Sequence, residues 1–183
     1  IFDKFLKKLV VRIKKLKVGN GFEKSDVGPL ISEKAIKKIK NHIDDALSKG
    51  GEILIGGKKS KIGKLFFEPT IVTNINKSMK IFSNENFGPI IPVIKFKSDD
   101  ELIQLANDTN YGLAAYFYTK KASRVWKIIE NLEYGMLGIN SGKISSYLNP
   151  FGGLKESGVG REGSIQCLEP FLETKFVSWS YDD

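Results

Sequence analysis

The sequence contains one cysteine, Cys167, and one histidine, His42, among its 183 residues. A single cysteine cannot form an intrachain disulfide, which favours a reducing compartment and predicts a cytoplasmic protein. One cysteine and one histidine are too few for a structural zinc site, which takes four such ligands. No apolar run approaches the ~20 residues that a membrane span requires. We therefore expect no metal site and no membrane association.

Neither residue has the sequence neighbours that nucleophilic catalysis requires. Cys167 has no histidine near it in the sequence, and we interpret it as an inert, buried thiol. His42 lies among lysines and acids in a helical pattern, and we interpret it as a surface or boundary residue rather than a base. The glycines and lysines of residues 51–58 lack the spacing of a phosphate-binding loop. The sequence therefore predicts no catalytic residue of its own.

The net charge of +8 arises from 29 basic and 21 acidic residues. Such a surplus is compatible with binding to nucleic acid or another anion. The alternative is a general lysine bias, because lysines are spread from Lys4 to Lys175 without a recognisable nucleic-acid-binding motif. We favour the general bias and expect no nucleic-acid partner.

Helical and extended patterns alternate along the chain. Ser32 is placed to cap a helix that runs to about Lys49, and Ser98 with Glu101 forms a capping box for a helix over 99–107. A further helix is predicted over 123–132, and short strands are predicted over 51–55, 66–72, 90–96, 113–118 and 135–139. This alternation predicts an α/β fold, an open sheet with helices on both faces.

The chain ends in an apolar, β-prone stretch, residues 171–179, which we predict to be one long strand. A long apolar edge strand at a chain end is able to pair with another chain. We favour a role in oligomerisation, and pairing within this chain is the alternative.

The stretch 81–89, IFSNENFGP, contains an isolated carboxylate, Glu85, two residues before an aromatic, Phe87. An ionised carboxylate accepts two hydrogen bonds at once, which suits a vicinal diol such as a ribose. In an extended segment these two side chains point the same way, as binding of a nucleoside requires. The alternative is a surface glutamate beside a core phenylalanine.

Five motifs follow one another along the chain: residues 28–31 (GPLI), 68–70 (EPT), 85–89 (ENFGP), 106–115 (ANDTNYGLAA) and 150–163 (PFGGLKESGVGREG). In this order and register they resemble the motifs of the NAD(P)-dependent aldehyde dehydrogenases. Within that family, residues 114–118, 132–135 and 160–164 most resemble succinate-semialdehyde dehydrogenases. The resemblance covers essentially the whole chain.

The resemblance implies roles for individual residues. Glu85 would hold the ribose hydroxyls of the nicotinamide nucleotide, and Phe87 would pack near the nicotinamide of NAD or NADP. Ser145 would donate to the distal carboxylate of the substrate, and Phe151 would lie near the substrate entrance. One departure is Lys143, which stands where succinate-semialdehyde dehydrogenases usually have an aliphatic residue.

The family's nucleophilic cysteine, general-base glutamate and dinucleotide-binding turn have no counterpart in these residues. We therefore interpret residues 1–167 as a partial cysteine domain, truncated at its N-terminus, and residues 168–183 as an oligomerisation strand and tail. The implied function is the C-terminal part of an enzyme that oxidises succinate semialdehyde to succinate and is inactive alone. The expected partners are a small aldehyde and either further copies of the chain or a missing N-terminal part. The alternative is a non-catalytic assembly module that complements a separate N-terminal chain.

Overall fold

A computed structural model describes residues 1–181, which divide into two compact units. The first unit spans residues 1–95 and the second begins at Phe96. The helices of the first unit are α1 (Phe2–Ile13), α2 (Glu33–Ser48) and the short α3 (Lys80–Ser83). Its strands are β1 (Glu52–Ile55), β2 (Thr70–Thr73) and β3 (Ile90–Pro92), in the order β1-β2-β3. β2 lies antiparallel to β1 and parallel to β3.

Helix α2 supplies one wall of the core of the first unit. It begins where the sequence predicts, because the Ser32 hydroxyl accepts a hydrogen bond from the Ala35 amide at 3.2 Å. Apolar residues at helical spacing then form a buried stripe. The stripe and the residues packed on it are Ile36, Ile39, Ile43, Ala46, Phe67, Val72, Ile75, Met79, Ile81 and Ile90. Each buried isoleucine contributes about 1.5–3 kcal/mol of transfer free energy.

The second unit is built from shorter pairings. Its helices are α4 (Asp99–Asn107) and α5 (Ala122–Asn131), followed by a 3₁₀ helix (Ile165–Phe171). Its strands are β4 (Tyr111–Gly112), β5 (Ala114–Phe117), β6 (Met136–Ile139) and β7 (Leu154–Lys155). β5 and β6 pair in parallel, and β4 and β7 pair antiparallel. Among the described residues, Ile128 is the one buried hydrophobic side chain of this unit.

The predicted capping box at the start of α4 is present in a modified form. The Ser98 hydroxyl accepts from the Glu101 amide at 3.2 Å, as expected. The Glu101 carboxylate reaches one residue further back and accepts from the Lys97 amide at 2.7 Å. Two backbone donors are therefore satisfied at this helix start.

The α/β class with open sheets is confirmed, although the strands are divided among three small sheets. The predicted terminal strand differs from the structure. Phe171 closes the 3₁₀ helix, the backbone is extended at Leu172, and residues 172–181 are exposed without a strand partner in the part of the chain that the structure describes. A strand requires hydrogen bonds to a neighbour, and residues 172–181 have no such neighbour within the described part of the chain. Within residues 1–181, no helix is both long and apolar enough to cross a membrane.

Candidate functional site

Glu85 and Phe87 lie in the connection between α3 and β3. The backbone is extended at Asn84 (φ −98°, ψ 143°), where α3 ends. Glu85 is exposed, Asn86 is half-buried, and Phe87 is 76% exposed. This alternation places Glu85 and Phe87 on the solvent side of the segment, as the sequence predicts. Within residues 1–181, no hydrogen bond or ion pair occupies the Glu85 carboxylate.

Asn86 anchors the same segment to the interior of the first unit. Its side-chain nitrogen Nδ2 donates to the Ile81 carbonyl at 2.7 Å, which fixes the orientation of the amide. Its oxygen Oδ1 lies 2.7 Å from Nδ1 of His42. Because Oδ1 is an acceptor, Nδ1 of His42 carries the proton and donates.

His42 is therefore not the surface or boundary residue that the sequence predicted. It is 3% exposed on the inner face of α2. The charged neighbours in sequence lie on the other face, since His42 follows Ile39 by three residues and precedes Ile43. Sequence reasoning also missed Asn86. Two signals in the sequence could have revealed this contact. His42 lies beside the apolar stripe of its helix, and Asn86 is a polar residue that alternates with Glu85 and Phe87 and so faces the opposite way.

In the second unit, Phe151 lines a cleft of about 390 Å³. An antiparallel bridge holds it, with amide-to-carbonyl distances to Glu162 of 2.8 and 2.7 Å. The Arg161 guanidinium shapes the cleft by donating to the carbonyls of Gly153 at 2.9 Å and Gly160 at 2.8 Å. The walls are mostly apolar or glycine, with Leu113, Val159, Pro170 and Phe171 among the lining residues.

Ser145 lies in the irregular segment that follows β6, and its side chain is exposed. The segment turns sharply just before it, because the Ser141 hydroxyl donates to the Lys143 carbonyl at 3.1 Å. Lys143 is also exposed. In the part of the chain that the structure describes, Ser145 is not among the residues that line the cleft at Phe151. The structure therefore does not bring the two predicted substrate residues into one cleft.

Two of the motifs that carry the family resemblance hold each other in place. The Asn107 side chain donates to the Asn131 carbonyl at 2.8 Å and accepts from the Glu133 amide at 3.0 Å. Lys155 donates through Nζ to the carbonyls of Asn107 at 2.9 Å and Thr109 at 3.0 Å. Asn107 and Lys155 thus join the loop after α4 to the end of α5 and to β7.

Tyr134 ties another of these motifs to α4. Its hydroxyl donates to the Ala106 carbonyl at 2.6 Å. Burial raises the pKa of the Tyr134 phenol above its ordinary value of 10.0, an effect that Lys155 opposes and Glu133 reinforces. The phenol is therefore neutral and acts as a donor at physiological pH.

Cys167 is half-buried within the 3₁₀ helix and is a free thiol. No group of three or more histidine, cysteine, aspartate or glutamate side chains within residues 1–181 is arranged to hold a metal ion.

The first unit thus presents an exposed carboxylate beside an exposed aromatic side chain. The second unit contains an apolar cleft shaped by a glycine-rich loop. A profile described as "Aldehyde dehydrogenase family" matches residues 1–177. The chain belongs to the aldehyde dehydrogenase family.

The similar proteins include several semialdehyde dehydrogenases. Succinate semialdehyde dehydrogenase of Acinetobacter baylyi is 48% identical over 97% of this chain and 37% of its own length. Glutarate-semialdehyde dehydrogenase of Pseudomonas aeruginosa is 47% identical over the same shares. The crystal structure of succinate-semialdehyde dehydrogenase from Burkholderia pseudomallei superposes with a TM-score of 0.89 at 50% identity, covering 92% of this chain and 35% of that one. The chain therefore spans about a third of the length of these relatives.

Proposed function

We propose that these 183 residues are part of an NAD(P)-dependent aldehyde dehydrogenase whose substrate is a short aldehyde with a distal carboxylate, with succinate semialdehyde the first candidate. The observation that carries the proposal is the pair formed by Glu85 and Phe87, an unpaired carboxylate and a 76% exposed ring on one side of an anchored segment. We call these two residues the carboxylate–aromatic pair.

The carboxylate–aromatic pair fits the nicotinamide end of the cofactor. Glu85 has both oxygens available to accept hydrogen bonds from the two hydroxyls of a ribose. Phe87 offers a flat apolar surface to the attached ring. When bound, NAD or NADP accepts a hydride from the substrate. The contribution of Glu85 and Phe87 is to position the cofactor for that transfer.

Substrate recognition is assigned to the second unit. Two of the relatives are named for succinate semialdehyde and glutarate semialdehyde. These two substrates differ in length by one methylene, and both end in a carboxylate. Ser145 supplies a hydroxyl donor for that carboxylate, and the nearby Lys143 supplies a positive charge. Phe151 lines a cleft that Ser145 does not line, so we assign it to the substrate entrance rather than to the carboxylate end. One methylene changes binding by only about 1–3 kcal/mol, so overlap between the two semialdehydes is expected.

We further propose that the chain is inactive alone. Its one thiol, Cys167, is half-buried, and its one histidine, His42, is committed to Asn86. No base–thiol pair of the kind that activates a nucleophile is therefore available among the described residues. The second unit also exposes large aromatic side chains, including Trp126, Tyr147 and Phe171, which is typical of a surface that another segment covers.

The test is a chimera in which residues 1–183 replace the matching third of the Acinetobacter baylyi enzyme. We expect the chimera to reduce NAD or NADP with succinate semialdehyde, measured by the absorbance of the reduced nicotinamide. We expect the 183-residue chain alone to be inactive. Glu85→Gln in the chimera should raise the KM for the cofactor about tenfold or more, because hydrogen bonds to a charged acceptor are worth about 1.5–3 kcal/mol.

The matched control is Glu52→Gln, which neutralises another exposed glutamate of the first unit, on β1. It should leave the KM unchanged. A chimera with full turnover in which Glu85→Gln and Glu52→Gln behave alike would contradict the role of Glu85. Turnover by the 183-residue chain alone would contradict its inactivity.

A second candidate function is a non-catalytic assembly module that complements a separate chain. The exposed C-terminal segment favours it, because Phe176, Val177 and Trp179 are exposed and have no strand partner among the described residues. Mixing the 183-residue chain with the remaining two-thirds of the relative should then restore turnover. A lack of association at micromolar concentration would count against this candidate.

A further inference from the structure

We infer that His42 is a positioning residue that holds the carboxylate–aromatic pair in its ligand-facing orientation. The inference deepens the proposed cofactor role of Glu85 and Phe87 and rests on it. His42 touches neither side chain of the pair. It acts through Asn86, the residue between them.

The anchoring of Asn86 sets the orientation of its neighbours. The Asn86 amide is bonded at both ends, to the Ile81 carbonyl and to His42, so it has no freedom to rotate outward. With Asn86 held inward, the residues on either side are directed outward. The exposure of Glu85 and Phe87 is therefore a consequence of two hydrogen bonds made by a residue that faces the core.

Helix α2 holds the segment at a second point, one turn away from His42. A Cβ built on Gly88 would lie 2.0 Å from Cδ1 of Ile39, so this backbone rests directly on that side chain. Ile39 and His42 are three residues apart and share one face of the helix. The Gly88 amide also donates to the Asn86 carbonyl at 2.9 Å, which closes a tight turn around Phe87. One helical face thus supports both ends of the Asn86–Gly88 turn.

Of the two supports, the hydrogen bond at His42 is the specific one. A phenyl ring keeps an aromatic group at this buried position, although it is larger than the imidazole, and it has no donor for Asn86. An asparagine would place an amide nitrogen at the position of Nδ1 and would keep the donor. His42→Phe and His42→Asn therefore separate the hydrogen bond from the packing of the ring.

The experiment is amide hydrogen exchange on the 183-residue chain, followed at the Gly88 amide and at the side-chain amide of Asn86. His42→Phe should accelerate exchange at both by about three- to tenfold, the effect of one lost buried hydrogen bond. His42→Asn should restore exchange to within about twofold of the parent chain. Asn86→Ala removes both hydrogen bonds of the side chain and should accelerate the Gly88 amide at least as much.

The control is Ile43→Val, which removes one buried methylene from the same helix and leaves the hydrogen bonds of Asn86 in place. It should lower the urea midpoint without selectively accelerating Gly88. The inference is overturned if the Gly88 amide exchanges no faster in His42→Phe and in Asn86→Ala than it does in Ile43→Val.

The cofactor measurement separates this inference from the proposed function. In the chimera, His42→Phe should raise the KM for the cofactor and His42→Asn should restore it. One outcome is that His42→Phe accelerates exchange at Gly88, while the KM for the cofactor is unchanged in both His42→Phe and Glu85→Gln. This outcome overturns the cofactor role but leaves the anchoring intact. Unchanged exchange overturns the anchoring, whatever the KM.

Discussion

Gly88→Ala tests how tightly helix α2 and the Asn86–Gly88 turn are packed. The added Cβ would lie 2.0 Å from Cδ1 of Ile39, which is 1.4 Å short of the 3.4 Å at which ordinary contact begins. Ile39 is 2% exposed in the core and has little room to move. Gly88 has no positive φ, so the cost arises from overpacking alone. We expect a loss of about 1–3 kcal/mol in the free energy of unfolding.

A double-mutant cycle gives this prediction its control. Ile39→Val deletes the Cδ1 atom that the new methyl would meet, and alone it should cost about 0.5–1.5 kcal/mol. The combined variant should be more stable than the sum of the two losses by about 1 kcal/mol, because the second change relieves the clash of the first. The assay is urea unfolding followed by far-UV circular dichroism. The fluorescence of the two tryptophans, Trp126 and Trp179, reports the second unit separately. Strict additivity would refute the close contact between Gly88 and Ile39.

Two further predictions concern stability. Tyr134→Phe should cost about 1 kcal/mol through the lost bond to the Ala106 carbonyl. Because the pKa of Tyr134 is raised in the folded state, the phenol of the unfolded chain ionises first as the pH rises. The parent should therefore lose stability above about pH 10, and its advantage over Tyr134→Phe should shrink there. A difference in urea midpoint between the two that stays constant with pH would contradict this prediction. Gly50→Ala (φ 90°, open space) should cost about 1–3 kcal/mol from backbone strain. Gly56→Ala (φ 77°) should lower the free energy of unfolding by more than Gly50→Ala does, since its Cβ would also clash with the Pro69 carbonyl. Equal losses of the two variants in urea unfolding would show that the clash is relieved.

The helices were predictable because their signals are local. Ser32 and Ser98 cap α2 and α4 at the predicted residues, since a capping hydroxyl and its amide lie within three residues of each other. The strands were less predictable in length. Residues 90–96 form an apolar run, but pairing with β2 ends at Pro92. Strand limits depend on a partner distant in sequence, so the apolar pattern alone overestimates them.

The same distinction explains the end of the chain. Residues 171–179 have the composition of a strand, and the backbone is extended at Leu172, with φ −115° and ψ 143°. Composition predicts the conformation correctly at that point. It does not supply the hydrogen-bonding partner, which the described residues also lack. The proposed role in oligomerisation thus remains a prediction about a second chain.

The candidate site shows which functional features a sequence reveals and which it does not. Glu85 and Phe87 are recognisable because their chemistry suits a nucleoside, but two residues in alternation would look the same if both faced the core. The evidence that they face outward comes from Asn86, whose inward bonds leave its neighbours no other direction. Its partner His42 is 44 residues away in sequence, and the charged residues around it conceal its burial. The orientation of a binding residue is therefore argued best from the contacts of the residue beside it.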